Sequence, residues 1–77
     1  MSFNYKLVGI TADNRIYDVE FLGSDFVKNA KYMISMIRRG FIPVLDDVVK
    51  FGIVNLSLGK EGRAIMFLDF LGNQIAG

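Results

Sequence analysis

Apolar and polar residues alternate along residues 3–11 and again along 16–22. In the first run Phe3, Tyr5, Leu7 and Gly9 share one face, with Asn4, Lys6 and Val8 on the other. In the second, Tyr17, Val19 and Phe21 oppose Ile16, Asp18 and Glu20. A period of two marks strands buried on one side. The intervening Ala12-Asp13-Asn14-Arg15 has the composition of a turn. A two-residue loop at Asp13-Asn14 would set Leu7 opposite Glu20 and mismatch the apolar faces. A three-residue loop, Asp13 to Arg15, sets Leu7 opposite Phe21 and Gly9 opposite Val19. Register follows the buried face, so the pattern predicts the three-residue loop.

After Gly23 the period lengthens. Phe26, Val27, Ala30, Met33, Ile34 and Ile37 fall on one side of a wheel drawn at 100° per residue. This is an amphipathic helix with a core-facing stripe, running from Asp25 to Arg39. Ser24 is suited to cap it and Asp25 to its first turn. Arg38 and Arg39 complement the C-terminal dipole, and Gly40 can take the left-handed cap. Residues 41–50 admit two readings: Phe41 to Leu45 as a short edge strand, where Pro43 is tolerated, or Pro43 opening a short helix. The strand is the preferred one. Val48 to Leu58 is rich in β-branched and aromatic residues, with Gly52 a candidate bulge. Gly59-Lys60-Glu61-Gly62 is a turn, Arg63 to Leu71 a strand apolar on both faces, and residues 72–77 a frayed tail. The expected fold is a single α+β domain over residues 1–77. It has two layers, an antiparallel sheet of four to five strands in the order ββα(β)ββ with one helix on one face.

Composition narrows the chemistry. The chain has 77 residues and contains no Cys and no His. Disulfides, zinc sites and nucleophile–histidine machinery are excluded. Without His, no side chain titrates near neutrality in its ordinary state, and no spacing nominates a Lys, Asp, Glu, Ser or Tyr as catalytic base. Asp18 and Glu20 share a strand face and Asp46 adjoins Asp47, but both pairs read as solvated charges. The expectation is therefore a protein that is not an enzyme, with no cofactor, no metal and no catalytic residue. The most apolar stretch, Ala64 to Leu68, is too short to span a bilayer. The N-terminus lacks the layout of a secretory signal, which leaves the cytoplasm as the default compartment.

Charge is unevenly placed. Residues 24–39 carry Lys28, Lys31, Arg38 and Arg39 against Asp25, a net of +3 in a chain whose total is +1. Tyr32 and Met36, four residues apart, lie beside this basic face and off the core stripe. Aromatic, Met and Arg side chains together are the composition of interface centres. Lys28, Lys31, Tyr32, Met36, Arg38 and Arg39 are thus the expected partner-binding set. The last hairpin is apolar beyond what one helix can cover. Val54, Leu56, Leu58, Met66, Leu68 and Phe70 are the expected self-association set. Two short matches to RNA-binding signatures, Gly59-Lys60-Glu61-Gly62 and Arg39-Gly40-Phe41, lack the surrounding elements those signatures require.

The function read from these residues is a small homodimeric protein-binding module. It would be an accessory subunit, adaptor or stoichiometric inhibitor of a larger protein, of the size common among phage and mobile-element products. The alternative is a small dimeric nucleic-acid-binding regulator using the basic helix. Four cations can meet about four phosphates, which implies weak, salt-sensitive binding.

Overall fold

The two alternating runs pair as neighbouring strands, in a register that differs from the expected one. The computed structural model describes residues 5–44, 46–56 and 64–76. Its elements are β1 (Tyr5–Thr11), β2 (Ile16–Phe21), α1 (Phe26–Arg38), β3 (Val48–Asn55), β4 (Ala64–Leu68) and β5 (Gln74–Ile75). The strands form one sheet in the order β2-β1-β3-β4-β5, with all neighbours antiparallel. The helix lies on one face, so the α+β expectation holds.

Three local results depart from the expected element boundaries. The β1–β2 loop is Ala12 to Asn14: Asn14 N–H donates to Thr11 O and Thr11 N–H to Arg15 O, both at 3.0 Å. Asn14 supplies the left-handed turn residue, with φ 64°, a conformation Asn tolerates. Phe41 and Ile42 form a bend, and Pro43 and Val44 are irregular rather than strand, Leu45 lying outside the described residues; a fifth strand comes instead from the tail expected to fray. Asp69 explains that reversal: its carboxylate accepts the N–H of Leu71 at 2.8 Å and of Asn73 at 2.9 Å. With Gly72 at φ 82°, the chain turns and Gln74 and Ile75 pair with Leu68 and Phe67. The helix is capped by Asp25 rather than Ser24, with no side-chain bond. Its C-terminus closes as expected at Gly40, φ 84°. Gly40 N–H bonds Ile37 O at 3.0 Å and Phe41 N–H bonds Met36 O at 2.9 Å, satisfying two orphan carbonyls.

Each interstrand contact along β1, β2, β3 and β4 contains a register shift that leaves one residue extra: Val19 against β1, Val49 against β1 and Ile65 against β3. Gly52, the expected bulge, is instead regularly paired with Val8 and Phe67. A Cβ there would approach Ile10 Cδ1 at 3.1 Å and Ala64 Cβ at 3.3 Å, so a bare backbone is what fits. The bulge at Val19 carries Glu20 opposite Leu7 and Phe21 opposite Lys6. Phe21 therefore stands on the face away from the helix, 65% exposed.

The core lies between helix and sheet. Ala30, Ile34 and Ile37 point into one cluster with Leu7, Leu22, Val48, Phe51, Ile53 and Leu68. Phe70 meets Phe51 edge-on at 4.8 Å, and Tyr5 stacks on Phe26 at 4.0 Å. On the opposite face Val8, Ile10 and Val54 form a smaller cluster, flanked by Leu56 and Phe67. No described helix covers it.

The bulge at Ile65 makes a sharp prediction. Leu68 is fully buried while Ile65 is 46% exposed. Leu68→Ala should lower unfolding stability by about 2–5 kcal/mol. Ile65→Ala should change it by less than about 1 kcal/mol. Urea denaturation measures both; equal costs would contradict the assigned register.

Candidate functional site

The helix sorts its polar side chains by angle. Opposite the buried stripe lie Lys28, Tyr32, Ser35 and Arg39, which form its outer crest. Lys28, Tyr32 and Arg39 are exposed, Tyr32 by 59%. Among the described residues neither Lys28 nor Arg39 has an ion-pair partner. The crest is a flat aromatic ring between two unpaired cations, and Met36, half-buried, sits on its flank.

Lys31 and Arg38, the other two expected partner-binding cations, are exposed at their ends but also seat the β4–β5 turn. Arg38 Nη1 donates to Phe70 O at 2.9 Å. A Cβ on Gly72 would lie 3.5 Å from Lys31 Cγ, so the lysine stem rests against that glycine. Substituting either would disturb the turn as well as the charge. The same turn presents Leu71, 68% exposed, between the two residues it anchors. Phe41, 69% exposed, follows the helix C-terminus. Neither Leu71 nor Phe41 belongs to the expected partner-binding set. The available signal was the apolar pair Phe70-Leu71 between Asp69 and Gly72, which strict alternation runs into one long strand.

The expected self-association set is divided by the sheet. Val54 is buried and Leu56 half-buried on the open face, whereas Leu68 is buried, and Met66 and Phe70 half-buried, in the helix-side core. Leu58 lies outside the described residues, as does the expected turn at 59–62. The cause is the bulge at Ile65, which puts β4's odd side chain Phe67, not Met66 or Leu68, beside Val54. Lys50 Nζ stands 4.9 Å from the Phe67 ring centroid.

The densest polar cluster joins the first turn to the start of β3. Arg15 reaches Asp13 at 2.9 Å, Asp47 at 2.6 Å and the Tyr17 hydroxyl at 2.8 Å. The Thr11 hydroxyl donates to Asp13 and accepts Arg15 N–H at 2.9 Å. All these groups are engaged with one another, and the arrangement fastens two segments rather than offering a reactive atom. The Thr11 hydroxyl, and next Arg15, hold the Asp13 carboxyl below its usual range. Arg15 is shifted up, chiefly by its bond to Asp13. Asp18 and Glu20, expected on one face, are separated by the bulge: Asp18 pairs with Lys6 at 3.0 Å, and Glu20 accepts Phe21 N–H at 3.0 Å.

Compared with protein-family models, curated proteins and solved structures, the chain matches none.

Two outcomes are expected. Because Asp13's carboxyl is depressed in the folded state, its contribution is present above the unfolded value, near ~3.9, and is lost as pH falls through the lower folded value. Urea midpoints should fall across that acid window, and more shallowly in Asp13→Asn. Parallel profiles would contradict this. If the open face around Phe67 pairs two copies, Phe67→Lys should leave the fold intact and abolish that pairing in sedimentation velocity, whereas Leu68→Glu should unfold the chain. A parent that is monomeric at tens of micromolar, as an order of magnitude for a specific dimer, would remove the homodimer.

Proposed function

We propose that this chain is a non-enzymatic protein-binding module, an accessory subunit, adaptor or stoichiometric inhibitor. It docks the outer crest of α1 on an acidic surface of a larger protein. The observation that carries this reading is Tyr32, 59% exposed on a rigid helix between the cations Lys28 and Arg39. An ordered, half-apolar ring loses little entropy on docking, and Tyr and Arg are enriched among residues that dominate binding energy. Leu71, on the turn seated by Lys31 and Arg38, and Phe41, after the helix C-terminus, are two further exposed apolar side chains. Neither Tyr32 nor Arg39 belongs to the helix-side core, so the crest is free of a structural duty.

The nucleic-acid reading uses the same cations and is separated by experiment. Tyr32→Ala and Arg39→Ala should each change stability by no more than about 0.5 kcal/mol. Each should weaken the partner complex by about 2 kcal/mol, roughly 30-fold. Affinity capture from host lysate, with nuclease-treated and untreated arms, supplies the partner, and calorimetry with the purified pair supplies the affinities. Unchanged affinity in both variants, or capture abolished by nuclease, would overturn the proposal.

A further inference from the structure

Among the described residues the outer strand β2 pairs on one side only, with β1. Thr11 and Arg15 share a main-chain bond at 3.0 Å, and Gly9 lies opposite Tyr17 one full ladder step on. In an antiparallel ladder the intervening residues turn their main-chain groups the other way. Ile16 and Asp18 therefore direct N–H and C=O outward. Beyond them the edge is closed: Val19 bulges, and Glu20's carboxylate takes Phe21 N–H at 3.0 Å. Bulges and charges are the devices that block unwanted pairing, and here they stop short of Ile16 to Asp18.

A cleft of about 340 Å³ adjoins this open stretch, lined by Tyr17, Asp18, Val19, Pro43 and Val44. Any strand added alongside β2 would project its residue opposite Tyr17 toward Pro43 and Val44. Its residues opposite Ile16 and Asp18 would project to the other face. The charge here is acidic. Asp13, Asp18, Glu20, Asp46 and Asp47 gather around the hairpin and the loop that meets it. The nearby cations are already committed, Lys6 to Asp18 and Arg15 to Asp13 and Asp47. Asp18's side chain is still 71% exposed.

We propose that β2 accepts an extended cationic peptide segment of a partner as an added strand. That segment carries an apolar side chain opposite Tyr17, seated in the cleft, and Lys or Arg opposite Asp18. Main-chain bonds to Ile16 and Asp18 give the affinity, and the cleft and carboxylate give the choice of side chains. A second copy fits less well. Self-pairing through the same outward groups sets Tyr17 against Tyr17 and Asp18 against Ile16, which brings no further cation to the exposed carboxylate. This site is separate from the α1 crest and stands or falls independently of it.

The test uses the full chain and a capped octapeptide of alternating valine and lysine. The control arms are the same peptide N-methylated at alternate residues and a valine–glutamate version. Amide exchange resolved by NMR should slow at Ile16 and Asp18 with the parent peptide alone, by about fivefold or more. Ile16→Pro removes an outward donor that β1 does not use, and should weaken binding by at least about fivefold. Asp18→Lys should weaken binding of the lysine peptide and favour the glutamate one, which keeps the proposal testable should the proline variant not fold. Equal binding of the N-methylated peptide, shifts confined to the crest, or no binding would overturn it. Protection of Ile16 and Asp18 that grows with protein concentration alone would overturn it in favour of a second copy.

Discussion

Everything in this fold depends on one packing contact, the stripe Ala30, Ile34 and Ile37 of α1 laid against Leu7, Phe51, Ile53 and Leu68 of the sheet. One helix of 13 residues is about 20 Å long. It is the only described layer over a sheet of 5 strands, so the side chains of the helix-side core must converge on that one footprint. Each buried Leu, Ile or Phe contributes about 1.5–3 kcal/mol, and a chain this small has no disulfide to substitute for a misplaced one. The bulges at Val19, Val49 and Ile65 follow from this demand. Each absorbs one residue and brings the strand back into phase, and the cost is an exposed β-branched side chain at Val49 and Ile65.

Those bulges also mark where the sequence stops being readable. The helix from Phe26 to Arg38, its Gly40 cap, the first two strands and the α+β layering were legible, because periods of 3.6 and 2 and a terminal glycine are local signals. A bulge has no such signal: Val19 and Ile65 look like ordinary strand residues. Strict alternation then sends Phe21 to the wrong face and assigns Met66, Leu68 and Phe70 to a surface they do not occupy. The fifth strand was missed for a related reason. Gly72 and Asn73 read as a frayed end until Asp69's carboxylate is seen holding the turn. At 41–44, the extended bias before Pro43 was real, but it was spent in a bend and irregular chain that carry Ile42 and Val44 to the core margin. Of the candidate site, the exposed Tyr32 between cations was legible from the wheel. The structural duties of Lys31 and Arg38 were not, since they depend on the unforeseen turn.

The two sides of the molecule differ in charge and in available bonding. The α1 crest offers side chains: an exposed aromatic ring and two cations that have no ion-pair partner among the described residues. The β2 edge offers main chain, with acidic groups around it. Between them lies a core that uses nearly all the large apolar residues of the helix side. The main polar cluster, around Arg15, is closed on itself. Both surfaces underlie the proposed binding.

The most direct measurement is the salt dependence of the affinity between this chain and its captured partner. Docking centred on the Tyr32 ring, with rim cations as support, should show a shallow dependence, because apolar burial is nearly indifferent to salt and rim charges mainly alter the association rate. The logarithm of the binding constant should fall with the logarithm of salt by a slope of no more than about −1 to −2, and Tyr32→Ala should lower the affinity at every salt concentration. A slope near −3.6, the value for about four neutralised phosphates at −0.9 each, together with indifference to Tyr32→Ala, would contradict the account.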